Sequence, residues 1–330
     1  MTIRFGIVGY GDGAAACASA IRSSGSEVVA VVGLDPASHS TQQEWGCSSF
    51  AGVREMLAGT RLDAAWVCAS LPTQRKLVEQ LLAAGVHVLC DKPLSVRSED
   101  ARAIVALAEE KHLVLAFSSK FRHAPDLQLA RHHIDEGAIG RPISCEVTLC
   151  GRVPLAGRGG SGVVMVNGSD AYDILTVVLG EAPIVSSVLF GARTLNSELE
   201  DTAEIHFQTS SKVMGRIALS RTYDAKDLDY LVVHGTEGTL RVGWSGGALR
   251  PHGAREWTPF GSGYDNAAVL ARQVAALLSS FSRSRHTQTH DAIIGALEFV
   301  ERVYEVERFG RGLLSGESWT SYSSLVPQPG

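Results

Sequence analysis

The sequence predicts an α/β protein in two parts. A doubly wound parallel sheet is read over residues 1–120, followed by an α+β domain with a large open, mostly antiparallel sheet over 121–330. Three observations predict it. In the first third, short continuous apolar runs alternate with amphipathic helical stripes; a glycine-rich turn sits at the first strand–helix junction; and beyond residue 120 the strands lengthen and alternate apolar with polar side chains.

The first five strands are read at "IRFGIV" (3–8), "VVAVVGL" (28–34), "AAWVCA" (64–69), "VHVLC" (86–90) and "LVLAF" (113–117). Runs apolar on both faces need cover on both, which a parallel sheet between helix layers supplies. Between them, Leu77, Val78, Leu81 and Leu82 stripe a helix over 75–84 that stops at Gly85. Ala101, Ile104, Val105 and Ala108 stripe another over 99–111, with Ser98-Glu99-Asp100 supplying its cap and acidic first turn. In the second part, "TAEIHFQ" (202–208) sends Ala203, Ile205 and Phe207 one way and Glu204, His206 and Gln208 the other. "YLVVHGTEGTLRVGW" (230–244) reads as a hairpin reversing between Gly235 and Gly238. Ile293, Leu297, Val300 and Tyr304 stripe a helix over 291–306. The Gly- and Arg-rich stretches 151–162 and 243–255 read as the least ordered. A sheet face without helices of its own predicts self-association, as a homodimer or homotetramer through the second sheet.

Composition narrows the partners. A formal charge of −5 and the lack of a long Lys/Arg run argue against nucleic acid or a membrane and for a small-molecule substrate. The opening "MTIRFGIVGYG" runs straight into a strand, and no apolar run reaches about 18 residues, so the expected compartment is the cytoplasm. The six cysteines, at 17, 47, 68, 90, 145 and 150, lack Cys-x-x-Cys spacing and read as reduced core or near-core thiols. The histidines show no ligand spacing, and no metal is expected.

The chemistry-bearing motifs begin with "GIVGYGDGAAA", where Gly9-x-Gly11-x-x-Ala14 follows a strand and opens a helix. Gly9 permits the tight turn, Gly11 lets a pyrophosphate approach the backbone, and Ala14 keeps the helix close to the sheet. This is a dinucleotide-binding pattern, which assigns Gly9, Tyr10, Gly11, Asp12, Gly13 and Ala14 to a cofactor. Asp35 ends the second strand where an acidic residue bonds ribose hydroxyls and repels a 2′-phosphate, so NAD is expected, with NADP left open. Asp35 can also be read as a turn former before Pro36. Asp91-Lys92-Pro93 ends a buried strand, and the carboxyl ends of parallel strands line the ligand crevice. Lys92 there orients a hydroxyl or carbonyl, or gives a proton if burial lowers its pKa; a surface lysine in a strand-exit turn is the bland alternative.

These motifs, with "AAGVHVLCDKPL", "SKFRHAPDLQLARHHIDEGAIGRP" (119–142), "GSGVVMVNGSDAYDILTVVLG" (160–180), "HGTEGTLRVGW" and "FGSGYD" (260–265), carry a resemblance. The sequence resembles, over essentially its whole length, the glucose-fructose oxidoreductase / inositol dehydrogenase / rhizopine-catabolism (Gfo/Idh/MocA) family of nicotinamide-dependent dehydrogenases. The resemblance implies a Rossmann domain, an active site between two domains, Lys92 as the active-site lysine and a cis Lys92–Pro93 bond. It also places Ser70 and Leu71, in a cofactor-side loop at 69–76, with Asp91 and Lys92 beside the cofactor. The family's Asp-x-x-x-His pair falls in "VVMVNGSDAYD" (163–173), where Val166 stands at the aspartate position and Asp170 at the histidine position. Valine exchanges no proton, and an ordinary aspartate is a weak base for an alcohol.

The resulting expectation is an NAD-dependent oxidoreductase acting on a polyol, sugar or related small polar substrate. Lys92 orients the reacting oxygen, Asp170, paired with Lys92, takes part in proton transfer unless Ser169 or Asp170 serves as a helix cap, and Arg122 and Asn167 contact substrate. Asp173 reads as a structural position on the same helix. Reduction of an imine or ketone is one alternative, and a dinucleotide-binding sensor or scaffold that has lost catalysis is the other.

Overall fold

Strands apolar on both faces were expected to make a parallel sheet, and they do. The computed structural model describes residues 2–9, 12–33, 45–69, 71–152, 161–191, 195, 199–225, 227–281 and 287–315. The first sheet contains β1 (Arg4–Gly9), β2 (Glu27–Val32), β3 (Ser48–Phe50), β4 (Ala64–Cys68), β5 (His87–Cys90) and β6 (Leu115–Phe117). It is parallel throughout, in the order β3-β2-β1-β4-β5-β6. The connecting helices are α1 (Asp12–Ser23), α2 (Val53–Gly59), α3 (Leu71–Ala83) and α4 (Ser98–Glu110). β3 and α2 had no counterpart in the sequence reading, because "SSF" is a three-residue edge strand with no apolar run to show.

The chain then makes a 3₁₀ turn at Lys120–His123 and helix α5 (Pro125–Asp135). The second sheet follows with β7 (Pro142–Cys150), a π-helical turn (Val164–Gly168), α6 (Ser169–Leu179), β8 (Ile184–Phe190), β9 (Thr202–Gln208) and β10 (Met214–Ser220). β11 (Leu231–Gly235), β12 (Gly238–Gly243), β13 (Gly246–Pro251) and β14 (Thr258–Phe260) complete it. The strand order is β14-β13-β12-β11-β7-β10-β9-β8, antiparallel except for the neighbouring pair β7 and β10. The alternation read in 202–208 and the hairpin read in 230–244 are both present. The stretch 243–255, expected to lack order, contains β13, which is held by ladders to β12 on one side and β14 on the other. Of the other stretch, residues 153–160 lie outside the described residues.

Helices α5 and α6 pack Leu127, Ala130, Ile174 and Leu175 against one face of this sheet, where Val147, Ile205, Phe207 and Ile217 are buried. The last two helices, α7 (Asn266–Phe281) and α8 (Thr287–Ser315), return to the first sheet. α7 adds Leu270, Val274 and Leu277 to the core shared by α1 and the strands, and α8 adds Ile293 and Leu297 on the opposite face. The two faces of the parallel sheet are therefore finished by residues from beyond position 260. The cap read at Ser98 takes a different form: Glu301 on α8 accepts the Ser98 N–H at 2.8 Å and its hydroxyl at 2.6 Å. A carboxylate from a distant helix thus satisfies the free end of α4.

Candidate active site

The carboxyl ends of β1, β4 and β5 lie side by side. Gly9 pairs with Cys68, Val67 with Cys90, and the Asp91 N–H donates to the Val67 carbonyl at 2.9 Å. Gly9 has φ +142°, and a Cβ there would overlap the Cys68 carbonyl, so only glycine fits. α1 opens three residues later with Ala14 buried against the sheet. A Cβ on Gly13 would meet nothing within 4 Å, which leaves the first turn of α1 open to a ligand. A helix N-terminus beside the switch point between β1 and β4 is a geometry that can hold a pyrophosphate. Tyr10, Gly11, Asp35 and Ser70 lie outside the described residues, as does the side chain of Asp12. The segment read as a loop over 69–76 is helical from Leu71, because Pro72 suits a helix's first turn.

The turn after β5 is pinned from two sides. The Asp91 carboxylate accepts the Trp66 indole N–H at 3.1 Å. The buried Gln74 amide donates to the carbonyls of Asp91 and of Pro93, the latter at 3.1 Å. Lys92–Pro93 is cis, as the resemblance implied. Lys92 Nζ projects from this turn to Asp170 Oδ1 at 2.8 Å and Asp173 Oδ2 at 2.7 Å. The other Asp173 oxygen accepts Arg122 Nε–H at 2.7 Å, while an Arg122 Nη donates to the Thr176 hydroxyl at 3.0 Å.

Asp173 thus proves to be the most enclosed member of the cluster, with a side chain only 2% exposed against 20% for Asp170. The helical spacing of three that puts both carboxylates on one face was legible, but the partners that meet them come from 81 and 51 residues away. Arg122, read as a substrate contact, spends two of its nitrogens on Asp173 and Thr176. Burial by itself would lower the Lys92 pKa; the charges and hydrogen bonds of Asp170 and Asp173 outweigh it and hold the pKa above the ordinary lysine value. The sequence reading had considered a lowered value. The side chain is an ammonium ion.

Asp170 and Ser169 do not cap a helix. The π-helical turn Val164–Gly168 runs into α6 without a break, so their N–H groups do not form a free end. The free end lies at Val163, and Glu200 holds it: its backbone carbonyl accepts Val163 N–H at 2.9 Å and its carboxylate accepts Val164 N–H at 3.1 Å. The Tyr304 hydroxyl donates to the same carboxylate at 2.6 Å, and Arg221 donates to the carbonyls of Ser161 and Gly162 at 2.8 and 3.3 Å. A Cβ on Gly162 would overlap the Glu200 carboxylate and displace it from this position. Asn167 and Val166 are half-buried in the π-helical turn so anchored. No pattern in the sequence marks Glu200 or Tyr304 for this purpose.

All six cysteines are free, with Cys17 and Cys68 in contact at 3.4 Å between sulfurs. Among the described residues no group of three or more His, Cys, Asp or Glu side chains is arranged to hold a metal ion, and no helix is long and apolar enough to cross a membrane.

Comparison with known proteins places this geometry. Residues 3–119 match the model of the oxidoreductase family with an NAD-binding Rossmann fold, and residues 127–241 match the GFO/IDH/MocA C-terminal domain. The chain is 30% identical over 235 residues to 1,5-anhydro-D-fructose reductase of Ensifer adhaerens, a match covering 67% of this chain and 69% of that protein. It is 26% identical over 255 residues to inositol 2-dehydrogenase of Rhizobium meliloti, covering 73% and 75%. Among solved structures, levoglucosan dehydrogenase in complex with NADH and levoglucosan superposes with a TM-score of 0.83 at 14% identity, covering 94% of this chain and 98% of that one. An oxidoreductase from Agrobacterium radiobacter in complex with NAD+, L-tartaric acid and magnesium gives 0.82 at 18% identity, with the same coverage. Identities this low show a shared fold, whereas the two family models, which between them span most of the sequence, show kinship: the chain belongs to the Gfo/Idh/MocA family of NAD-binding oxidoreductases.

Proposed function

We propose that the protein reduces the ketone of a small, hydroxyl-rich substrate of sugar or cyclitol type, with residues 1–120 binding NADH and residues 121–330 forming the substrate side. The observation that carries this reading is the ammonium of Lys92 held between two carboxylates. Gly9, Gly11, Gly13 and Ala14 would take the cofactor's pyrophosphate and Asp35 its ribose, a preference for NAD that leaves NADP open. When bound, the nicotinamide supplies the hydride. Lys92 bonds to the carbonyl oxygen through Nζ–H and gives up a proton as that oxygen gains charge, because an alkoxide is a far stronger base than an amine. Asp170, a carboxylate that borders solvent, then takes a proton from water and passes it to the neutral Lys92 amine, which restores the ion pair. Asn167 in the π-helical turn contacts a neighbouring hydroxyl. The anhydrofructose reductase among the relatives agrees with this direction.

Alcohol oxidation requires a base instead. Asp170 and Asp173 hold the Lys92 pKa above the ordinary lysine value, so near neutrality its side chain is a poor proton acceptor. Val166 offers no proton acceptor in its place. One observation favours oxidation as a second reading: His123, next to Arg122, has its pKa lowered by burial, with Asp173 opposing and Arg122 and Arg272 reinforcing, which keeps its imidazole neutral and able to accept a proton.

The test is to follow NADH consumption with 1,5-anhydro-D-fructose and other hydroxyketones, and NAD reduction with the corresponding alcohols, from pH 6 to pH 10. Reduction is expected to be fast near neutrality, oxidation to rise about tenfold per pH unit, and Lys92→Ala to abolish both while NADH still binds. Oxidation with a midpoint below the ordinary histidine value that His123→Asn removes and Lys92→Ala spares would transfer the assignment to the second reading.

The compartment is proposed to be the cytoplasm. The assembly is proposed to be a homodimer or homotetramer through the bare face of the second sheet, where Ile184, Leu189 and Met214 are largely exposed.

A further inference from the structure

Four aromatic rings gather beside the lysine–carboxylate cluster, and two of them are only half-buried. Phe121 and Tyr230 are closed off, whereas Trp244 and Tyr264 retain exposed surface. Tyr264 lies 5.6 Å from Phe121 and 5.5 Å from Trp244 between ring centroids, the second pair edge-on at 83°, and Trp244 lies 4.9 Å from Tyr230. Phe121 immediately precedes Arg122, whose guanidinium holds Asp173, so the ring cluster and the ion cluster share one turn of chain. The phenol of Tyr264 is also near enough to Asp170 for that carboxylate to add to the effect of burial in raising its pKa.

The shelf is fixed in place. The Tyr264 N–H donates to the Trp244 carbonyl at 2.9 Å. The carboxylate of Asp126, itself buried, accepts the N–H groups of Ser262 and Gly263 at 3.2 and 2.8 Å. A buried aspartate thus holds the segment before Tyr264 against the start of α5. The "FGSGYD" stretch is therefore anchored through its backbone with the Tyr264 ring against Phe121 and Trp244, and the lysine–carboxylate chemistry makes no use of it.

We propose that Trp244 and Tyr264 form a wall that receives the C–H face of a ring-form sugar or cyclitol, selecting cyclic over open-chain substrates. This rests on the reading of the site as one for a hydroxyl-rich ketone. A six-membered polyhydroxylated ring carries its hydroxyls around the rim and leaves an apolar C–H face, which suits an aromatic surface with a polar edge. An open-chain polyol has no such face. A ring against the wall lies beside the ion cluster, because Phe121 in the ring cluster adjoins Arg122, which holds Asp173.

The inference is tested by calorimetric titration of the NAD-loaded full-length chain with 1,5-anhydro-D-glucitol as the cyclic probe and D-glucitol as the open-chain probe. The expected result is tighter binding of the cyclic probe, weakened about tenfold by Tyr264→Ala and by Trp244→Leu, with D-glucitol affinity unchanged. Tyr264→Phe keeps the ring and is expected to keep cyclic-probe binding within about twofold, so a folding defect in the alanine variant does not decide the matter. Equal affinity for the two probes, equal losses for both in the variants, or no binding of the cyclic probe overturns the inference. Ketone reduction that persists without any ring preference sinks this inference alone; loss of both NADH binding and ketone reduction in the wild type sinks the functional reading beneath it.

Discussion

Asp170 and Asp173 sit three residues apart, but their surroundings differentiate them. Asp173 is enclosed and neutralises two cations, so Asp173→Ala leaves Lys92 and Arg122 without their shared partner. A loss of about 3 to 5 kcal/mol is expected in urea unfolding, towards the lower end because Arg122 is partly exposed. Asp170 is more open and has one cation. Asp170→Asn is expected to change stability by less than about 1 kcal/mol while lowering turnover steeply. A large stability loss with unchanged turnover would make Asp170 purely structural. Lys92 also couples the fold to pH: a folded pKa raised above the unfolded value contributes stability that is complete below about pH 10.5 and lost as pH climbs through the higher folded value. Lys92→Met should therefore remove an alkaline phase from the unfolding-versus-pH curve. At this scale the sequence exposed the lysine and both carboxylates; their assignment required knowing which side chains meet them.

The π-helical turn and its latch are the decisive element. Placing Val166, Asn167 and Asp170 depends on where the helix starts, and Glu200, Tyr304 and Arg221 determine that from three separate parts of the chain. Glu200→Ala removes the acceptor of two buried hydrogen bonds and opens space at Gly162, so a cost of about 2 kcal/mol or more is expected by urea unfolding. Turnover should fall while the NADH dissociation constant, measured by fluorescence, stays the same. Glu200→Gln preserves an acceptor and should restore most of the turnover; failure of that rescue together with weakened NADH binding would argue for general loosening. Strands β1, β2, β4, β5 and β6 were legible because each is a continuous apolar run, whereas β13 was not, because its two glycines, Arg250 and Pro251 obscure a strand that exists through pairing on both sides.

Across the whole molecule, α7 and α8 cross back to cover the parallel sheet, and the second sheet keeps one face bare. On that face Leu189 lies opposite Glu204 and Met214 opposite Gln208, while Arg216 bridges Glu146 and Glu204, each at 3.1 Å. An apolar edge around a charged centre is the surface proposed to associate with further copies. Sedimentation velocity of the wild type is expected to show an oligomer, and the double substitution Leu189→Lys, Met214→Glu to yield a smaller species with NADH binding retained. A wild-type monomer would end that proposal.

Local signals carried the first sheet, the glycine turn with Lys92, and the kinship: apolar periodicity and short motifs depend on neighbouring residues, so they survive in one dimension. Tertiary structure decided the rest. A lysine's charge state depends on a carboxylate 81 residues along the chain and on another one helical turn before it, and a helix start depends on a carboxylate from the loop before β9. Electrostatics and hydrogen bonds act over a few ångströms in space without regard to separation in sequence. Only folding reveals that Lys92 is an ammonium and that Asp173 holds it.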